Sequence, residues 1–144
     1  MGWMDTLQIS SSGLTAERLR MDVIAENIAN ANVTRTNAGG PYRRKIILFA
    51  PREDEQSFGQ VLGNTMKIGQ GVRAVRIVED QSPFRRVYEP AHPDADGEGM
   101  VELPNVNPMM EMVDMIAATR AYEANLAAMN STKNMISRAI NFGK

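Results

Sequence analysis

The segment ENIANANVTRT, residues 26–36, closes the first amphipathic pattern of the sequence and contains three asparagines. Asparagine is a poor helix former because its amide competes with the backbone for hydrogen bonds. Asn27 and Asn30 are three residues apart, so they share a helix face near the apolar stripe. A buried asparagine between helices lowers stability but fixes register and partner. We therefore predict that both residues set the register of a helix pair; a simple helix end over a polar surface is the alternative.

A helix is predicted before these asparagines, from Asp5 to about Ala31. Asp5 is the expected N-cap, with Gln8 completing a capping box. The apolar residues form a narrow stripe that is typical of coiled-coil contacts. Its main row recurs every seven residues and consists of Leu7, Leu14, Met21 and Ile28.

A second helix is predicted from Asn107 to about Asn141, with Asn107 as N-cap and Pro108 at the first helical position. It is too long for a domain of this size to bury by itself. The predicted contact residues are a row with a seven-residue repeat and two members of a companion row: Met115, Tyr122, Met129, Ile136, Leu126 and Ile140.

The region between the helices has the composition of short strands and turns. YRRKIILFAP (42–51), GQGVRAVRIVED (69–80) and FRRVYEP (84–90) are predicted strands, whereas residues 51–71 are predicted to be mostly irregular. The predicted fold class is α+β, with long terminal helices paired as a coiled-coil-like core. The predicted divisions are an N-terminal helix (1–32), a β-rich insert (33–106) and a C-terminal helix (107–144).

Composition argues against most catalytic and metal-binding chemistry. The chain of 144 residues has no cysteine, one histidine and a formal net charge of -1. Thiolate chemistry is excluded, a histidine-based metal cluster is not expected within one chain, and the charge gives no reason to expect nucleic-acid binding. No enzyme activity and no cofactor are predicted.

The loop from Asp94 to Glu98 is the best candidate for a cation site. Its carboxylates, followed by Gly99, have the spacing of a calcium-binding loop, but Asn105 occupies the position where a bidentate glutamate is required. A solvated acidic turn is the favoured interpretation, and a weak cation site is the alternative.

The N-terminus and the apolar runs give no targeting or membrane signal. The first residues, MGWMDTLQISSSG, lack the basic and apolar regions of a cleaved signal peptide. The longest apolar run, Ile46–Ala50, is too short to span a bilayer. No direct membrane insertion is predicted.

Two segments resemble the flagellar rod, hook and filament-junction axial proteins. ENIANANVTRTNAGGPYRRK (26–45) is similar to the asparagine-rich N-terminal signature of that family, and residues 106–144 are similar to its C-terminal helix. Residues 90–107 resemble the proximal-rod branch more narrowly. The resemblance implies a structural subunit of the periplasm-spanning rod, exported unfolded by the flagellar type III apparatus without a cleaved signal peptide.

The same resemblance implies partners: copies of the chain, other rod proteins, the MS-ring or export-gate side of the basal body, and the export apparatus during secretion. The terminal helices would pair along the rod axis and the insert would pack outward. The alternative function is a cytosolic helical adaptor with a β-rich insert, which would be folded and dimeric in isolation.

Replacing Met129 or Ile136 with aspartate is expected to abolish assembly and swimming motility, because the new charge would be buried in a helix contact without a partner. Motility of the source bacterium carrying only the variant gene is the measurement. Wild-type swimming by either variant would contradict the predicted helix contact.

Overall fold

The structure is a computed structural model that describes residues 3–52 and 70–142, Trp3 by its backbone alone. It confirms the α+β class, with long helices at both ends and small antiparallel strand pairs between them. Most of the segment that was predicted to be irregular, residues 53–69, lies outside the described residues. The elements in chain order are α1 (Trp3–Ala29), β1 (Lys45–Pro51), β2 (Val72–Glu79), β3 (Arg85–Tyr88), β4 (Met100–Leu103) and α2 (Pro108–Phe142).

Helix α1 begins two residues earlier than the sequence pattern indicates. Asp5 therefore lies in the first turn instead of at the N-cap, where its charge still favours the positive end of the helix dipole. The helix ends at Ala29, and the backbone N–H of Ala31 bonds to the carbonyl oxygen of Ile28 at 3.2 Å. The asparagine-rich segment thus forms the turn that leads into the insert.

Helix α2 begins where its capping residues predict. The side-chain oxygen of Asn107 accepts a hydrogen bond from the backbone N–H of Met109 at 3.1 Å, as an N-cap does. Pro108 follows at the first helical position, and the helix continues for 35 residues to Phe142. At about 1.5 Å per residue, α2 is roughly 50 Å long.

The two helices pack antiparallel. Asn27 near the end of α1 bonds to Glu111 at the start of α2, and Gly13 near the start of α1 meets Asn125. A Cβ at Gly13 would lie 2.9 Å from the Asn125 amide nitrogen, so glycine permits this close approach. In this register Trp3 is level with about residue 135, and the last turns of α2 extend beyond the described part of α1.

The strands form two antiparallel pairs, β1 with β2 and β3 with β4. β1 pairs from Lys45 opposite Glu79 to Pro51 opposite Val72, with a register shift between Leu48 and Phe49. Both strands of this pair approach α1. The sequence analysis did not predict β4, because Met100–Leu103 follows directly on the acidic turn.

Few large apolar side chains are buried in the described residues. A small cluster joins Ala31 and Tyr42 after α1 to Val106 before α2, and Val33 packs against it. The other buried apolar residues are mostly small or β-branched: Ala16, Val23, Ile24, Val101 and Ala118. The interior therefore connects the elements but leaves much apolar surface of the long helices uncovered.

Gly71, just before β2, gives a test of how the β1–β2 pair sits on α1. Its φ is +106°, and a Cβ there would lie 2.2 Å from the Ser12 hydroxyl oxygen, which accepts the Val72 N–H at 3.1 Å. We expect Gly71→Ala to lower the free energy of unfolding by about 1–3 kcal/mol, because backbone strain and steric overlap add.

Thermal unfolding of the full-length chain measures this effect. Gly97→Ala is the matched control, since a Cβ at Gly97 would meet no atom within 4 Å. Equal melting temperatures for the two variants would contradict the close approach at Gly71.

Candidate assembly interface

The residues predicted for the helix contact lie beside the most buried positions. All eight residues of the two seven-residue rows are partly buried, whereas Leu126 and Ile140 are exposed. The deepest positions on α2 are Glu111, Ala118 and Thr132. These too are spaced by multiples of seven, and Asn125 completes the row. Sequence reasoning missed this row because its members are small or polar, while the search followed large apolar residues.

Asn27 lies at the centre of a buried polar cluster formed by Asn27, Tyr42, Arg44, Lys45 and Glu111. It is 1% exposed. Its side-chain oxygen accepts hydrogen bonds from the Tyr42 hydroxyl at 3.0 Å and the Lys45 N–H at 2.9 Å. Its amide nitrogen donates to the Lys45 carbonyl at 2.9 Å and the Glu111 carboxylate at 3.1 Å. One amide therefore joins α1, β1 and α2.

Glu111 supplies the buried negative charge of this cluster. It is 1% exposed, and the Arg44 Nε donates to its Oε1 at 2.6 Å. A buried carboxylate is tolerated only when it is paired and hydrogen-bonded, and Arg44 and Asn27 meet both conditions. Sequence reasoning assigned Glu111 only an early-turn position, because nothing in the sequence indicated that Arg44 would come within reach.

Asn30 differs from Asn27, although the sequence analysis paired the two. Its amide nitrogen donates to the Glu26 carbonyl at 2.8 Å, within the same helix. Within the described residues of this chain, its side chain forms no hydrogen bond to α2. Register-setting by Asn27 and Asn30 in an assembly stays a prediction.

Asn105 ties the insert to the segment before α2. Its side-chain oxygen accepts the Arg44 N–H at 2.8 Å, and its amide nitrogen donates to the Asp80 carbonyl at 3.1 Å. Hydrogen bonds from the backbone and side chain of Ser82 hold the pKa of Asp80 below its ordinary value, and Arg44 and Arg43 add to this. Asn105, which stands where a calcium loop requires a glutamate, thus links Arg44 to Asp80.

The acidic loop is organised by its own hydrogen bonds. One oxygen of Asp96 accepts the backbone N–H groups of Met100 and Glu98, each at 2.9 Å, and these bonds lower its pKa. Asp94 accepts the Thr34 hydroxyl at 2.8 Å, and its own N–H donates to His92 Nδ1 at 3.1 Å. Among residues 3–52 and 70–142, no group of three or more His, Asp or Glu side chains is arranged to hold a metal ion.

The side of α2 that points away from α1 carries an uncovered apolar surface in its first turns. We call Met109, Met112, Val113 and Ile116 the outward apolar face. Their spacing of three and four residues places them on one side of the helix. All four are exposed, Met109 by 70% and Ile116 by 56%. Clustered exposed apolar side chains of this kind are typical of interaction surfaces.

Ile140 lies at the other end of α2, where this helix extends beyond the described part of α1, and it is 61% exposed. It belongs to the same row as Leu126, which is also exposed. The predicted contact of Ile140 is therefore not made within the described part of the chain.

Comparison with known proteins places this arrangement in a family. Residues 7–35 match the family described as flagella basal body rod protein, and residues 98–142 match the C-terminal family of flagellar basal body rod FlgEFG proteins. Over 97% of both chains, the sequence is 50% identical to the flagellar basal-body rod protein FlgC of Borreliella burgdorferi. The chain belongs to the FlgC family of flagellar basal-body rod proteins.

Other members of the family also match over nearly the full length. FlgC of Bacillus subtilis is 44% identical over 96% of this chain and 97% of its own. FlgC of Salmonella typhimurium is 35% identical over the whole of both chains. The two matched ranges contain most of α1 and all of α2, and with them Asn27 and Glu111. No helix within the described residues is both long and apolar enough to cross a membrane.

The buried cluster predicts an alkaline transition. Burial, then the negative charges of Glu26, Glu111 and Glu79, raises the pKa of Tyr42 from 10.0 to about 12. Because the unfolded chain loses this proton first, the contribution to stability is complete below pH 10 and is lost as the pH rises from 10 to about 12.

Absorbance at 295 nm during an alkaline titration should show a late tyrosinate step that Tyr42→Phe removes. Tyr88→Phe is the control, because Tyr88 is exposed. If the late step survives in Tyr42→Phe, the burial and charge environment assigned to Tyr42 is wrong.

Proposed function

We propose that this chain is a structural subunit of the proximal part of the flagellar rod, where it assembles helically with copies of itself and with other rod proteins to transmit torque across the periplasm. Membership of the FlgC family supports the location at the basal body and the structural role. The helical arrangement and the identity of the neighbours are our extension of that assignment.

The uncovered apolar surface of α2 is the observation that carries the proposal. Transfer of an apolar side chain out of water contributes about 1.5–3 kcal/mol when burial is complete. The outward apolar face and Ile140 lie near opposite ends of the same helix, and neither is covered by the described part of the chain. Neighbouring subunits that covered both would gain stability along the whole helix.

Two different patches on one chain favour a head-to-tail contact. When different surfaces of identical or similar subunits meet and the rotation does not close a ring, the product is a helical filament. The ends of the long helices would be loosely ordered in an isolated subunit and would become rigid on assembly, as in coupled folding and binding.

The insert offers a further surface for neighbours. Val75 and Ile77 of β2 are large apolar side chains, and both are exposed. This supports packing of the insert against adjacent subunits on the outside of the helix pair. Contact with the MS-ring or export-gate side of the basal body is part of the proposal.

Export belongs to the same proposal. A rod subunit has to reach the growing structure, and we propose that the flagellar type III apparatus exports it unfolded without a cleaved signal peptide. The absence of cysteine is compatible with a chain that is threaded unfolded and folds on arrival, since no disulfide can form on the way.

The cytosolic adaptor is not favoured by the family match. The relatives are named as rod proteins, and their names indicate a structural role rather than an enzymatic one. Circular dichroism of the isolated chain separates the two functions, because a rod subunit gains helix on assembly whereas an adaptor is fully folded and dimeric alone.

A charge on the outward apolar face tests the rod assignment. We expect Ile116→Asp to leave the isolated chain folded, because Ile116 is exposed there, and to abolish swimming motility, because burial of an unpaired carboxylate is strongly unfavourable. Motility and the recovery of rods from cells that carry only the variant gene are the measurements.

Asn134→Asp is the matched control. It adds the same charge to the same side of α2 at an exposed position that is already polar. Normal rods in cells with Ile116→Asp would show that this face is not covered in the assembly.

A further inference from the structure

Next to β1, a side chain rather than packed backbone makes the contact with α2. Within the described residues, β1 and β2 approach α1 closely, while neither strand approaches α2. Arg44, directly before β1, reaches across this gap to Glu111 in the first turn of α2. The β1–β2 pair is held on α1 by bonds to Asn27 and Ser12, and Arg44 adds a direct ionic contact to α2.

The Arg44 guanidinium has several carboxylates around it. Besides Glu111 at 2.6 Å, it faces Asp114 of α2 at 3.4 Å and Asp80 at the end of β2 at 3.8 Å. The planar guanidinium presents five donors in fixed directions, so it can hold groups on the insert and on α2 at the same time. A lysine ammonium in the same place is a point charge without this directional geometry.

Buried ion pairs of this kind contribute more to specificity than to stability in some proteins. Removing one partner leaves a buried charge unpaired, whereas replacing both by apolar residues is often neutral or stabilising. Glu111 is almost completely buried, whereas the Arg44 side chain is 28% exposed, so the cost of separating the pair falls on the buried carboxylate.

We propose that the Arg44–Glu111 ion pair is a positioning device that fixes the orientation of the β1–β2 insert relative to α2, so that the insert surface and the outward apolar face meet neighbouring subunits together. The part of this inference that concerns assembly rests on the proposed function. The part that concerns orientation within one chain does not.

Distance measurements on the isolated full-length chain test the orientation. The chain has no cysteine, so Arg76→Cys in β2 and Glu123→Cys in α2 provide unique sites for spin labels, and both positions are exposed. Arg18→Cys with Glu123→Cys is the control pair, because it reports only on the two helices.

Replacing both charges should broaden one distance and not the other. In the Arg44→Met, Glu111→Met background, we expect a broadened distribution for the Arg76–Glu123 pair and an unchanged one for the Arg18–Glu123 pair. An unchanged Arg76–Glu123 distribution would overturn the proposal.

Measurements of melting temperature and motility distinguish an ion pair that positions the insert from one that only stabilises the fold. Arg44→Met alone should lower the melting temperature by about 10–20 °C, because Glu111 is left buried and unpaired. The double variant should return to within about 3 °C of the wild type and still be non-motile. Full motility of the double variant would overturn the role in assembly.

Arg44→Lys keeps the proposal testable if the double variant does not recover its stability. It retains a positive charge for Glu111 but lacks the planar fork, so we expect a broadened Arg76–Glu123 distribution and reduced motility. A narrow distribution with full motility in Arg44→Lys would overturn the proposal.

Deletion of the gene distinguishes failure of the proposed function from failure of this inference. If cells that lack the gene still swim, the chain is not a required rod subunit, and the proposed function fails together with the role of the ion pair in assembly. The distance distributions of the isolated chain decide the orientation claim in either case.

Discussion

One buried carboxylate constrains how the elements pack where the insert meets the helices. Glu111 is the first buried residue of α2; Arg44, directly before β1, supplies its counter-charge, and Asn27 near the end of α1 donates a hydrogen bond to it. Because an unpaired charge in this position is strongly unfavourable, α2 docks most favourably where both partners are in place. The contact therefore couples three segments that are far apart in the sequence. It lies at the end of the helix pair where the chain enters and leaves the insert.

The same end of the molecule contains most of its internal polar organisation. Asn27 uses its whole amide within the cluster, and Asn105 connects Arg44 to Asp80 beyond β2. Towards the opposite end, the helix contact relies on close approach, as at Gly13 beside Asn125. A chain built in this way is well specified at the junction with the insert and has fewer specific contacts towards the tips of its helices.

The helices were the most predictable feature of the sequence, because their signals are local. Asn107 and Pro108 mark the start of α2, and the seven-residue rows mark the sides that approach α1. The α+β class and three of the strands followed from similar patterns. The buried cluster was only half predictable: the unusual asparagines identified Asn27, but Arg44 and Glu111 are 67 residues apart and carry no pattern that relates them. The short β4 was missed because Met100–Leu103 follows directly on the acidic turn and was included in the candidate calcium loop that ends at Asn105.

Polar contacts lie mainly inside the chain and apolar contacts are available on its surface, and the two kinds of contact differ in how strongly they determine orientation. Apolar burial is non-directional, so the outward apolar face can supply affinity for a neighbour without determining how the two subunits are oriented. Hydrogen-bonded charge pairs contribute less net stability but require defined geometry. A rod subunit needs both properties, because many weak contacts must add along a filament while each subunit keeps one shape. In this chain the directional contacts lie inside and the non-directional contacts lie on the surface. The internal polar contacts can therefore determine the shape of the subunit, and the apolar surface contacts can then stabilise the assembly of subunits with that shape.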